Sequence, residues 1–210
     1  WKLYNQEGMR DLCGNRLPDG MTEFEFFHRP LITPTTKDKD DTNITPNEIV
    51  EAGLATQAEY DQMEAMALDL FNLGQGIATE RGLQLADTKF EFGRLATGQL
   101  VVIDEALTPD SSRYFSRSEY HRYVHGYTTT RPTQQSKEFV REWLASHGFT
   151  NQAGETIPEM PEEFVTEVIG NYIGLYEDMT GKKFMPADYD GAEDRMQENI
   201  ENALLAIRSN

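Results

Sequence analysis

The stretch Leu85-Ala86-Asp87-Thr88-Lys89-Phe90-Glu91-Phe92-Gly93 limits the possible folds of this chain more than any other. Side chains alternate sides along a β-strand, so one face carries Asp87, Lys89 and Glu91 and the other Ala86, Thr88, Phe90 and Phe92. Such a strand buries one side and leaves the other charged. A second apolar run, Leu100-Val101-Val102-Ile103, leads into Asp104-Glu105, and Thr97-Gly98 lies between the two runs. Glycine takes the left-handed backbone of a tight turn, so the segment reads as a β-hairpin with Thr97-Gly98 as a two-residue turn. That register sets Glu91 directly opposite Asp104, with Cβ atoms roughly 4.5–5.5 Å apart. Two carboxylates so close repel unless a cation lies between them. Mg²⁺ suits such a site, because it takes one or two carboxylates together with phosphate oxygens and water. The alternative is a solvated hairpin face with its own Lys–Glu pairs.

Helical segments flank the hairpin. Thr45-Pro46-Asn47-Glu48 carries a helix start signal, with Thr at the N-cap, Pro at the first helical position and Glu at the third. Residues 57–81 place Tyr60, Met63, Ala67, Leu70 and Phe71 near one face, and Gly82 marks a stop. Further helices are expected around 117–125, from Ser136 to His147, from Pro161 to Thr180 and from Glu193 to Arg208. Residues 1–48 read as irregular and turn-rich, and the Lys37–Asp41 run as an exposed loop. Helices packed on a hairpin-built sheet make an α+β fold.

Charge narrows the partners. A net charge of −17 over 210 residues argues against nucleic acid, whose phosphates demand clustered Lys and Arg. No apolar run approaches the length that spans a bilayer. The single cysteine, Cys13, excludes an intrachain disulfide and fits a cytoplasmic setting. His121 and His125 have the spacing of a helical metal pair, but no acidic partner lies between them and Arg122 sits beside them, which argues against a metal role. Phe24, Phe26 and Phe27 read as packing. Beyond the second strand, Thr108-Pro109-Asp110-Ser111-Ser112-Arg113-Tyr114 combines hydroxyls with a guanidinium fork on a loop, which suits phosphate. A capped turn leading into a helix is the alternative.

Together these pieces resemble the phosphoribosylaminoimidazole-succinocarboxamide synthase (SAICAR synthetase) family. The similarity rests on Leu85–Gly93, on Asp104-Glu105 with Thr108–Phe115, on Thr33-Pro34-Thr35-Thr36-Lys37 with the acidic residues through Asp41, on Ser136–Leu144 and on Tyr172–Tyr176. It runs from Trp1 to about Lys183. The family's smaller N-terminal lobe, with its Gly-rich, Lys-containing loop over ATP, has no counterpart here.

The resemblance implies a larger C-terminal lobe of kinase- and ATP-grasp-related architecture over residues 1–183, with an acidic helix in 184–210. It implies an ATP-dependent ligase of purine biosynthesis that joins L-aspartate to carboxyaminoimidazole ribonucleotide through an acyl phosphate. By motif, Glu91 and Asp104 would hold Mg²⁺. Lys89, with Asp87 beside it, would act at the reacting carboxylate or phosphate. Arg113, Ser112, Ser111 and Asp110 would bind the ribonucleotide, and Lys37 and Asp41 would sit in a loop closing over substrate. The competing readings are a related ATP-dependent ligase or phosphotransferase and a non-catalytic nucleotide-binding or regulatory remnant. Nothing in the sequence distinguishes a monomer from a homo-oligomer. Half a cleft positions ATP poorly, and positioning carries most of phosphoryl transfer. The 210-residue chain is therefore expected to fold without turning over. A coupled ADP-release assay beside the complete natural protein checks this, and equal rates would refute it.

Overall fold

The computed structural model describes residues 4–5, 8–38 and 41–208. Trp1, where the family similarity begins, and Lys39 and Asp40 of the acidic loop lie outside the described residues. In chain order the elements are β1 (Asp11–Leu12), β2 (Asn15–Arg16), α1 (Pro46–Glu51), α2 (Gln57–Glu80), β3 (Leu83–Thr88), β4 (Glu91–Arg94), β5 (Leu100–Ile103), β6 (Ser112–Ser116), α3 (Arg117–Val124), α4 (Lys137–Ser146), α5 (Glu162–Thr180) and α6 (Ala192–Arg208). The N-terminal region is not wholly irregular, since β1 and β2 form a small antiparallel hairpin.

Local chemistry accounts for the helix ends. Thr45 and Thr56 each accept from the amide of the Glu three residues on, and that Glu carboxylate reaches back to the Thr amide. Ser136 caps α4 through the Glu138 amide. Gly181 takes the left-handed backbone that ends α5, with φ of 67°. Arg94 of β4 pairs with Glu59 of α2 at 2.6 Å, tying the hairpin to the start of the long helix.

The sheet departs from the expected single hairpin. The run from Leu85 to Gly93 is not one strand but two, β3 and β4, separated at Lys89-Phe90. β3 pairs antiparallel with β6, while β4 pairs with β5. Leu85 faces Tyr114 and Asp87 faces Arg113, so Ala86 is an extra residue, a β-bulge that bends the strand. The segment around Ser112 and Arg113, expected as loop, is strand β6.

The expected pairing of Glu91 with Asp104 is also corrected, because Glu91 pairs with Ile103. The Leu95 amide donates to Gln99 and the Gly98 amide to Leu95, each at 2.9 Å. Gly98 has a φ of 88°. This is a three-residue connection, a turn followed by a left-handed glycine. The added residue slips the register by one from the two-residue reading.

The core lies where α2, β3, β6 and α5 meet. Leu85 and Ala78 are fully buried, with Leu83, Tyr114 and Leu175 around them and Phe71, Leu107 and Met179 packed outside. Along α2 the buried Tyr60, Gly74 and Ala78 follow the helical repeat. A second cluster sets Phe24 edge-on to Phe115, Tyr120 and Tyr123, and the Tyr120 hydroxyl donates to the Phe24 carbonyl at 2.7 Å. The Phe24 segment is thus packing, as expected. Leu85→Ala, which removes a fully buried side chain, should destabilise the fold by about 2–5 kcal/mol in chemical denaturation. A shift below about 1 kcal/mol would show that the core does not center on β3.

Candidate functional site

The break at Lys89-Phe90 distributes the charged residues into two groups. At the break the Lys89 amide donates to the Ser111 carbonyl at 2.8 Å, so the kinked strand holds the loop that precedes β6. The first group gathers on the outer side. Lys37 pairs with Glu91, and Lys89 bridges Asp41 at 3.0 Å and Glu91 at 3.1 Å. Lys37 and Asp41 come from a loop closed by the Thr35–Asn43 bridge and by the Thr36 amide donating to Thr42 at 2.9 Å. Four sequence-expected residues therefore converge across separations of 48 and 54 residues. The lysine side chains donating to Glu91 hold its carboxyl below the usual glutamate range. The Asp41 and Glu91 carboxylates push Lys89 above the usual lysine value.

The second group forms around Arg113, whose guanidinium pairs with Asp87 on the facing strand and lies 3.7 Å from Glu138 in the first turn of α4. Loss of water around Asp87 raises its carboxyl from the ordinary value, and the Arg113 charge opposes that rise. Asp87 thus stands with Arg113 and makes no ion pair with Lys89. Asp87 belongs to the stretch that pairs with β6, whereas Glu91 belongs to the stretch that pairs with β5.

The loop between β5 and β6 lies between the groups. Asp104 and Leu107 adopt left-handed backbone, with φ of 63° and 60°. Such residues cost on the order of 1–3 kcal/mol each and persist only where the surroundings enforce them. Here the Tyr114 hydroxyl donates to the Leu107 carbonyl at 2.7 Å, and Thr108 and Ser111 bond to each other's amides at 3.1 and 3.2 Å. Asp110 accepts from the Tyr172 hydroxyl of α5 at 2.9 Å. Ser112 is buried, its hydroxyl 2.8 Å from that of Thr88, which sets it inward while Arg113 points outward. The Gln135 amide donates to Tyr114 at 2.9 Å, bringing α4 and Glu138 alongside β6.

Sequence reasoning missed Glu138 and Tyr172 as site neighbours. Glu138 had a weak signal, an acidic residue just inside a serine-capped helix. Tyr172 opens one of the segments that carry the family resemblance, but nothing local ties it to Asp110, which it meets from 62 residues away. His121 and His125 stack with ring centroids 3.9 Å apart. No cluster of three metal-ligating side chains occurs among the described residues, and none of the described helices is long and apolar enough to cross a membrane.

The fold is of the α+β class, with a charged, bulged strand beside a hydroxyl-bearing loop that holds two left-handed residues. The comparisons give that class a family. The family model for SAICAR synthetase matches residues 6–156, and the chain belongs to that family. It is 44% identical over 209 residues to the phosphoribosylaminoimidazole-succinocarboxamide synthase of Bacteroides thetaiotaomicron, covering 97% of this chain and 65% of that protein. It is 42% identical to the chloroplastic synthase of Arabidopsis thaliana, covering 99% of this chain and 50% of that protein. The SAICAR synthase of Saccharomyces cerevisiae, solved with SAICAR, superposes with a TM-score of 0.67 at 32% identity, over 89% of this chain and 57% of that one. The chain thus spans between half and two thirds of the length of these relatives.

The lysines of the first group are half-exposed or more, although the Glu91 side chain they share is only 13% exposed, and pairs open to water contribute about 0–1 kcal/mol each. The loop bearing Lys37 should therefore be held lightly. Glu91, with its pKa depressed, supports the loop above its unfolded value of 4.5 and loses that support as pH falls through the lower folded value. Lys89, with its pKa raised, supports it below 10.5 and loses that as pH climbs through the higher folded value. Protection factors of the amides of residues 35–38 and 41–43, corrected for intrinsic exchange, should be highest between those limits, and Lys37→Met should lower them without lowering the thermal midpoint. Exchange unaffected by the substitution would show that the loop is held by its backbone alone.

Proposed function

We propose that this chain carries substrate-binding and phosphoryl-transfer residues of an ATP-dependent ligase that joins L-aspartate to carboxyaminoimidazole ribonucleotide. The observation that carries this reading is the convergence of Lys37, Asp41, Lys89 and Glu91 beside the loop leading to Arg113. The chemistry requires such a place. A carboxylate is a poor acyl donor, and transfer of the ATP γ-phosphoryl group to one of its oxygens makes an acyl phosphate and ADP. The aspartate amine then attacks the acyl carbon, the C–O bond to phosphate breaks, and the amide, phosphate and a proton are released. Cations neutralise the charge that builds on the transferring group. Lys89 is the cation proposed for that work, with Asp87 nearby.

Glu91 and Asp104 are proposed to hold Mg²⁺. Asp104 directly follows Ile103, the residue that faces Glu91. Two carboxylates are a hard oxygen donor set that leaves positions for nucleotide phosphates and water. When bound, the ion draws charge from the phosphoryl oxygens. Lys37, now on Glu91, would exchange onto an anionic group of the substrate. Arg113, with Ser111 at the loop end beside it, is assigned to the ribonucleotide phosphate, because its planar fork matches two phosphate oxygens, whereas Ser112, expected from the resemblance to join it, is turned inward onto Thr88. The relative of known structure bound to SAICAR supports the ribonucleotide, and a SAICAR synthetase solved in complex with ADP supports the nucleotide. A reducing compartment suits a chain whose one cysteine is buried, and the cytosol is proposed.

The test is direct. The complete natural protein, given ATP, Mg²⁺, L-aspartate and the ribonucleotide, should form SAICAR with one ADP per turnover, and ADP release without aspartate incorporation would sink the reading. Arg113→Ala should raise the ribonucleotide KM about tenfold to a hundredfold, since bonds to charged groups contribute about 1.5–3 kcal/mol, with the ATP KM changed less than about twofold. An equal loss for both substrates would refute the assignment of Arg113.

A further inference from the structure

Asp110 is oriented from outside the hairpin. Its Oδ1 accepts from the Tyr172 hydroxyl at 2.9 Å. Tyr172 belongs to α5, which is anchored in the core through Leu175 and Met179. Residues 172, 175 and 179 recur at three and four, so the hydroxyl projects from the same side of the helix that is packed on β3 and β6. A rigid element thus reaches across to a strained loop and grips one side chain of it.

The rest of the loop is held by the Thr108–Ser111 hydroxyl bonds within it and by two contacts to its backbone from outside. Tyr114 binds the Leu107 carbonyl, and the Lys89 amide binds the Ser111 carbonyl. From outside the loop, Tyr172 reaches Asp110, a side chain proposed to meet substrate. Burial, with Asp110 and Glu105 nearby, pushes the Tyr172 phenol up to about 12. The phenol therefore keeps its proton at neutral pH and acts only as a donor toward the carboxylate. With Oδ1 so occupied, Oδ2 is left for a hydroxyl or amine of a ligand.

We propose that Tyr172 is a positioning residue that holds Asp110 with one carboxylate oxygen turned to accept from a ribose hydroxyl of the ribonucleotide. This rests on the reading that Asp110 and Arg113 bind that substrate. Asp110 precedes Arg113 by three residues on one short, tightly bonded segment. In a ribose phosphate the hydroxyls lie within a few bonds of the phosphate, so a segment offering a guanidinium and an oriented carboxylate matches both ends of the sugar. The other donor in the reaction is the aspartate amine, and it would show itself in a different Michaelis constant.

The experiment uses the complete natural protein and Tyr172→Phe, which deletes one hydroxyl and keeps the ring. The ribonucleotide KM should rise about tenfold, with kcat and the ATP KM changed less than about twofold, the pattern of lost ground-state binding. In an Asp110→Ala background the same substitution should add nothing, because Tyr172 acts through Asp110. An unchanged ribonucleotide KM, additive losses in the double variant, or a rise confined to the aspartate KM would each overturn the proposal. A wild-type protein that forms no SAICAR would instead refute the functional reading. Tyr172 is then judged by hydrogen exchange at residues 107–113. Faster exchange in Tyr172→Phe at an unchanged thermal midpoint supports the anchoring role, and equal exchange overturns it.

Discussion

The hydrogen bond from the Lys89 amide to the Ser111 carbonyl, 2.8 Å long, is the junction on which the site depends. It forms where the ribbon stops pairing with β6 and starts pairing with β5. Before it, Asp87 sits opposite Arg113 on β6 and pairs with it, and at and beyond it Lys89 and Glu91 take the Lys37 loop. The same bond fixes the end of the 104–111 loop, so both charged groups and the loop share one mechanical reference. Behind it the support is apolar, with Leu83, Leu85 and Tyr114 buried against α2 and α5. A fully packed inner face gives the outer face little freedom to shift.

The outer face is built from weak, exchangeable contacts. The Lys37 side chain is 75% exposed and that of Lys89 50%, so water screens both. Such pairs add little to stability, and little is lost when a ligand replaces one member. A net charge of −17 makes cations scarce, and here Lys37 and Lys89 are balanced by Asp41 and Glu91 rather than left in excess. Arg113 differs, with two carboxylates, Asp87 and Glu138, setting the direction of its guanidinium.

Much of the architecture was legible because it is written locally. Capping boxes at Thr45 and Thr56, the serine cap at Ser136 and glycine stops after α2, α4 and α5 act within a few residues, and the helices form where these signals stand. The α+β class followed from the same signals. The hairpin register did not, because a left-handed glycine serves both two- and three-residue connections, and the choice moves every partner by one. Asp104 lost its place opposite Glu91 for that reason alone. Ser112, expected as an exposed loop hydroxyl, became a buried partner of Thr88 once β6 formed.

The amino-acid sequence by itself determined the elements, the charged motif, the hydroxyl-rich loop and the family resemblance, since each rests on neighbours in the chain or on residue order. Only the tertiary structure decided which charges meet. Lys37 with Glu91, Lys89 with Asp41, Arg113 with Glu138 and Tyr172 with Asp110 are contacts between segments far apart in sequence. The physical reason is that capping and alternation act over a few residues. The meeting of distant side chains depends instead on the bulge, the strand break and the packing of α2 and α5 on one buried core.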